Sequence, residues 1–217
     1  MAKRAITRQR LTREDWINAA IDRLIANGVD GVRIDPLADT MKVSRGSFYW
    51  HFKNRRELLE AILSNWREHQ TQRIMERIRR DQNLAPIERL VRLRMLPPRT
   101  RTTAEAAAFE LAVRTWALRD KAVRRVVDQV DSERVSFTAG LLADATMPED
   151  EAGYWALIGY AYTVGESLLR ANMSDEQIIE CRSRLLETQL KHFRQPSKED
   201  LRSLRRRLAA DAISKGK

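Results

Sequence analysis

Between Thr12 and Phe193 the apolar residues recur at intervals of three and four, and no stretch of useful length alternates apolar with polar as a half-buried strand would. The chain reads as all-α. A first helix is expected from Thr12, whose side chain caps it with Asp15 at the capping-box position, and Ile17, Ala20, Ile21 and Leu24 form its inward stripe. Asn27-Gly28 stops it, since Gly takes the left-handed conformation at little cost. A short second helix follows from about Ile34, with Pro36 in its first turn and Ile34, Leu37, Ala38 and Met41 at i, i+3, i+4, i+7. Lys42-Val43 makes a tight turn, and Ser44 is placed to cap a third helix. A fourth starts at Asn54, with Glu57 reciprocating in an Asn-x-x-Glu box. Further helices are predicted over about 57–81, 86–95, 103–118, 121–145, 149–171 and 175–193. The six prolines, at 36, 86, 97, 98, 148 and 196, fall between these segments or at their starts, where they do not break a helix interior.

The third helix carries an anomaly. Its sequence, SRGSFYWHFKN over 44–54, places five rings in little more than one turn. On a wheel of about 100° per residue with Arg45 at zero, Phe48 and Phe52 fall near 300° and 340°, whereas Gly46 and Trp50 fall near 100° and 140°. The phenylalanines therefore face a core, and Gly46 and Trp50 point away from it, flanked by Tyr49 on one side and by Ser47 and His51 on the other. Such a face suits a helix lying in the major groove of DNA. Gly46 lets the backbone approach, Ser47 and Tyr49 donate to phosphates or bases, and Trp50 meets a thymine methyl. Lys53, Arg55 and Arg56 sit at the start of the fourth helix, where cations oppose the helix dipole unless a phosphate receives both.

Charge supports an anionic partner for this end of the chain. The net charge of +10 is unevenly placed: residues 1–56 hold 12 Lys+Arg against 6 Asp+Glu, and residues 197–217 hold 7 against 3. Residues 83–196 are balanced at 16 against 16, so one basic module adjoins a neutral body. Cys181 is the single cysteine, which excludes a disulfide within the chain and, without a CxxC or paired histidines, argues against structural zinc. No metal or cofactor is expected. The longest apolar run, YWALIGYAYTVG, is too short to span a bilayer, and the first ten residues lack a signal-peptide core, so a cytoplasmic location is expected.

Residues 12–63, LTREDWINAAIDRLIANG followed by IDPLADTMKVSRGSFYWHFKNRRELLEAIL, resemble the amino-terminal DNA-binding domain of the tetracycline-repressor (TetR) family. The resemblance rests on Val43-Ser44, Ser47-x-Tyr49-x-His51-Phe52 and Asn54-x-x-Glu57-x-Leu59 together. It implies an amino-terminal three-helix helix-turn-helix DNA-binding domain followed by a helical-bundle ligand-binding and dimerisation domain. The corresponding division is a basic arm (1–11), the helix-turn-helix domain (12–56), the effector and dimerisation domain (57–196) and a basic tail (197–217). Family members are usually repressors that bind palindromic operators as homodimers and release them when a small molecule enters the carboxy-terminal pocket. By that resemblance Ser47, Tyr49, Trp50 and His51 contact groove and phosphate, Arg45 and Gly46 lead the recognition helix, and Lys53 and Arg55 clamp the backbone. Two positions depart from the family pattern. Arg33 stands where a capping Thr is usual, and Lys42 stands where Gly is usual. Each adds a cation near the expected DNA.

The rest of the chain is read from its own pattern. Phe109, Val113 and Trp116 share one face of their helix, serving either as core or, with Trp155 and Tyr162, as the lining of an apolar cavity for a hydrophobic or aromatic effector. Gly159, Ala161 and Gly165 allow close helix approach, and Leu185, Leu186 and Leu190 supply an apolar stripe on the next helix. The family resemblance implies that these two helices form the dimer interface. Two other classes of function compete with a ligand-responsive regulator. An architectural DNA binder leaves the neutral body without a purpose, and a helical enzyme lacks any GxSxG, HExxH, GxGxxG or P-loop pattern and any constellation around His51, His69 and His192.

Overall fold

The computed structural model describes residues 11–95, 103–169 and 174–193; residues 1–10 of the basic arm, the tail at 197–217 and Pro97, Pro98 and Pro196 lie outside them. Every regular element among the described residues is helical, and none of these helices is long and apolar enough to cross a membrane.

Helix α1 (Arg13–Asn27) begins in the expected capping box, with Asp15 N–H donating to Thr12 Oγ1 at 3.2 Å and Thr12 N–H to Asp15 Oδ2 at 2.7 Å. It stops at Gly28, whose φ of 68° is in the left-handed region and whose N–H reaches Leu24 O at 2.9 Å. After a 3₁₀ turn at Val29–Gly31 come α2 (Ile34–Thr40) and α3 (Arg45–Tyr49). Lys42 between them has φ 56°, so a residue with a Cβ does occupy the left-handed turn position. Ser44 precedes α3 in extended conformation but makes no side-chain cap, which corrects the capping role expected of it.

At the start of α4 (Arg55–Arg67), Asn54 Oδ1 accepts from Glu57 N–H at 3.0 Å. The reciprocal bond runs to Lys53 rather than Asn54, with Lys53 N–H donating to Glu57 Oε2 at 2.8 Å. The long helix expected over 57–81 is continuous in path, but a π-helical turn at Glu68–Gln72 separates α4 from α5 (Arg73–Arg80). There the Arg73 N–H reaches back to Glu68 O. Helices α6 (Pro86–Met95), α7 (Thr103–Ala117), α8 (Lys121–Asp144), α9 (Glu149–Leu169) and α10 (Asp175–Phe193) complete the described body.

Two apolar clusters hold these helices. The first joins the head to the body: Trp16, Leu24, Phe48, Leu58 and Trp66 pack in one cluster with Phe109, Val113 and Trp116 of α7 and Val123, Val127 and Val130 of α8. The division drawn at residue 56 therefore does not divide the core. The second cluster joins Ile78 and Leu90 to Leu141, Leu142, Ala156, Leu186 and Leu190. Each fully buried side chain of this size contributes about 1.5–3 kcal/mol relative to exposure.

Candidate nucleic-acid interface and ligand cavity

Helix α3 is only five residues long, but Trp50 keeps right-handed helical angles and both His51 and Phe52 N–H bond to Phe48 O, so the wheel geometry carries on to Phe52. Phe48 and Phe52 are buried, stacked at 5.5 Å, and Trp16 meets Phe48 edge-on at 5.4 Å. On the opposite side Trp50 is 82% exposed and Tyr49 48%. Gly46 is exposed beside them, with only Ser44 Oγ near where a Cβ would lie, and Ser47 and His51 are half-buried. Arg45 donates to the Tyr49 hydroxyl at 3.3 Å and pairs with Asp35 at 3.4 Å. This positions the phenol while leaving the guanidinium accessible. Arg33, Lys42 and Lys53 are exposed around the same end of the head.

Arg55 is the exception. Its Nε donates to Val32 O at 2.6 Å and its Nη2 to Val29 O at 2.5 Å, so the guanidinium ties α4 to the turn before α2 instead of facing outward. Of the guanidinium's N–H donors, two are spent on backbone carbonyls and are withdrawn from a phosphate clamp. Arg56 is the exposed arginine of that turn, paired only with Glu60.

In the body a cavity of about 240 Å³ opens among the π turn, α5, α6, α7, α8, α9 and α10. None of Phe109, Val113, Trp116, Trp155 and Tyr162 lines it. The first three are core at the junction of head and body, as their near-zero exposure requires. Trp155 packs against the second cluster, and Tyr162 is half-buried and hydrogen-bonded to Cys181, its hydroxyl pushed up to about 12 by burial and then by the nearby Glu166 carboxylate. The wall is instead part apolar, from Ile74, Met75, Leu93, Phe137 and Val164, and part charged, from Arg94, Glu110, Arg134, Glu166 and Arg182.

Most of that charge is internally matched. Glu110 receives Arg134 at 2.9 Å, Arg114 at 2.8 Å and the indole N–H of Trp66 at 2.8 Å. Burial alone would raise the Glu110 carboxyl; the Arg134 and Arg114 guanidiniums outweigh it, and the carboxyl is held below its ordinary range. Tyr160 donates to Asp131 at 2.6 Å while accepting from Arg114 and Arg134, and burial pushes its hydroxyl up to about 12. Arg134 also reaches Thr71 Oγ1 at 2.9 Å and Gln70 O at 3.3 Å, which anchors the π turn to α8. Glu166 takes both Nε and Nη2 of Arg182, at 2.7 and 2.5 Å. These residues come from helices far apart in sequence, and no local pattern marks them. The only available hint was a surplus of polar residues on otherwise apolar helical stripes.

The small and apolar residues of α9 and α10 divide between two faces. Gly159 is buried within the chain, because a Cβ there would lie 1.8 Å from Arg94 Nη2. Leu186 and Leu190 belong to the second core cluster, and Leu185 is half-buried. Ala161 is exposed and Gly165 has open space above it. Tyr154, Leu157 and Ile158, absent from the sequence expectation, are exposed at 68%, 55% and 47% and continue that outward stripe along α9.

Residues 17–62 match the sequence profile described as bacterial regulatory proteins, tetR family. Over 69 residues the chain is 36% identical to an uncharacterized HTH-type transcriptional regulator, TtgW, of Pseudomonas putida, covering 32% of this chain and 51% of that protein. Over 53 residues it is 42% identical to the class D tetracycline repressor of Escherichia coli, covering 24% of each. These matches span about half the length of the first relative and a quarter of the second. Among solved structures, a transcriptional regulator of Rhodococcus sp. Rha1 superposes with TM-score 0.67 at 16% identity, over 84% of this chain and 97% of that one. A transcriptional regulator of Saccharomonospora viridis in complex with choline superposes with TM-score 0.65 at 18% identity, over 83% and 95%. At such identities the likeness is one of fold, and it extends through the body.

Proposed function

We propose that the chain, whose residues 17–62 match the tetR-family profile, is a sequence-specific DNA-binding transcriptional regulator of that family, a repressor that holds a palindromic operator as a homodimer and leaves it when a small molecule enters the cavity of the body. The observation that carries the reading is the outward presentation of Trp50 and Tyr49 from a helix whose other side is locked by Phe48 and Phe52. Ser47 and His51 flank them, Gly46 allows close approach, and Arg33, Lys42, Arg45 and Lys53 supply phosphate contacts around the groove. Arg55 acts from behind by fixing the angle between α4 and α2.

The homodimer reading is supported by the outward stripe of Tyr154, Leu157, Ile158, Ala161 and Gly165 on α9, and Leu185 on α10 is half-buried. An exposed apolar stripe of this length on a helix rarely stays uncovered in water. The release mechanism is supported by the position of the cavity. Its wall includes the π turn that continues α4, and Leu58 and Ile62 of α4 belong to the same apolar cluster as Phe48 of the recognition helix. A ligand that spreads Arg134 from Gln70 and Thr71 would rotate α4 and change the spacing of the two recognition helices in a dimer. Selection of bound sites from random double-stranded DNA tests the whole reading. A two-fold symmetric site with half-sites one helical turn or more apart is expected. Failure to enrich any sequence, or a single unsymmetric footprint, would refute it.

A further inference from the structure

Among the ionised groups of the cavity wall, Arg94 stands apart. Its Nη1 donates to Gly159 O at 2.7 Å and lies 3.4 Å from Thr163 Oγ1, whereas Nη2 is buried with no acceptor among the described residues. The carboxylates that share the cavity are engaged elsewhere: Glu110 by Arg134 and Arg114, and Glu166 by Arg182 in a two-pronged pair. The charged group that most affects Arg94 is Arg182, another cation, which also donates to Arg94 O at 3.1 Å. Burial and then that neighbour pull the guanidinium down to about 10, still protonated at neutral pH. The absence of a Cβ at Gly159 is what makes room for it. An arginine placed this way loses hydration with no ion pair among the described residues in return. Such a cost is tolerated where a ligand completes the pair.

We propose that the cavity recognises a small organic carboxylate on a mainly apolar body, with Arg94 receiving the carboxylate and Ile74, Met75, Leu93, Phe137 and Val164 covering the rest. The charge inventory favours a monoanion. Three arginines and two glutamates line the wall, leaving one positive charge unmatched, so a phosphate dianion would overcompensate it. This inference rests on the effector reading above and specifies the ligand class.

The test uses the full chain and three probes with one tail and different heads: octanoate, octanamide and octyltrimethylammonium. Binding is followed by calorimetry and by thermal denaturation of the wild type, Arg94→Gln and Arg94→Lys. Octanoate should bind the wild type at least about tenfold more tightly than octanamide, the difference expected of one charge-assisted hydrogen bond. Arg94→Gln should erase that preference and Arg94→Lys should keep part of it. Without ligand, Arg94→Gln should melt no lower than the wild type, because an uncompensated buried cation has gone. Equal binding of the neutral or cationic probe, no binding of octanoate, or a preference that survives Arg94→Gln would each overturn the proposal. Release of operator DNA by octanamide would preserve the effector reading while sinking the carboxylate. Octanoate that binds through Arg94 yet leaves operator binding unchanged would do the reverse.

Discussion

Trp50 on the head and Tyr154 on the body are both large, aromatic and mostly exposed, yet their surroundings have opposite chemistry. Around Trp50 lie Gly46, Ser47, His51 and Lys53, with no aliphatic side chain on the same face of α3. Around Tyr154 lie Leu157, Ile158 and Ala161, one and two turns along α9. An exposed ring among hydroxyls and cations fits a hydrated, anionic partner, whereas an exposed ring in an aliphatic stripe fits another protein surface. Exposure alone does not identify a binding face; the neighbours decide which partner it takes.

The comparison breaks most visibly at Phe48, which shares the ring cluster with Trp50 but faces inward. Phe48→Ala should cost about 3–5 kcal/mol of folding stability, whereas Trp50→Ala should change stability by less than about 0.5 kcal/mol and weaken operator binding at least about tenfold. Urea denaturation and operator titration on the same samples separate the two, and equal stability losses would mean that the indole is core.

Glu110 sharpens the contrast between a matched ion network and an open face. Glu110→Ala should cost about 3 kcal/mol or more, because Arg134 is left buried with one acidic partner fewer. The carboxyl is held below its ordinary 4.5, so its stabilising contribution is complete above that pH and is lost as pH falls below it. Denaturation midpoints measured from pH 6 down to 3 should therefore fall more steeply for the wild type than for Glu110→Gln.

Ile158→Glu tests the apolar stripe. In the proposed two-fold interface the substitution would occur twice, and it should weaken dimerisation by about 2 kcal/mol or more with monomer stability unchanged. Sedimentation equilibrium reads the first quantity, and an unshifted association constant would remove α9 from the interface.

The smallest expected effects distinguish the two cations flanking Asn54. Lys53→Ala should reduce the slope of log affinity against log salt by about 1 without altering sequence preference. Arg55→Ala should leave that slope nearly intact and instead cost about 1–2 kcal/mol of stability, since the Val29 and Val32 carbonyls each lose a donor. The reverse result would show that Arg55 turns outward on DNA.

The sequence by itself determined the features that depend on neighbours within a turn or two. Ile17, Ala20, Ile21 and Leu24 announced α1, Gly28 its end, and the angular separation of Phe48 from Trp50 the two faces of α3; each follows from a period of 3.6 residues and from local capping. The resemblance to a known head rested on the same short-range residues. Only the tertiary structure decided that Phe109, Val113 and Trp116 close the joint between head and body, that Arg55 bonds a loop, and that Leu186 and Leu190 are interior. It also assembled the cavity from Arg94, Glu110, Arg134 and Glu166, which lie on four different helices. Helical periodicity tells how far around the axis a residue points, whereas the helix it meets there depends on the packing of the whole bundle. For a charged residue, that packing settles whether it finds a partner or waits for one.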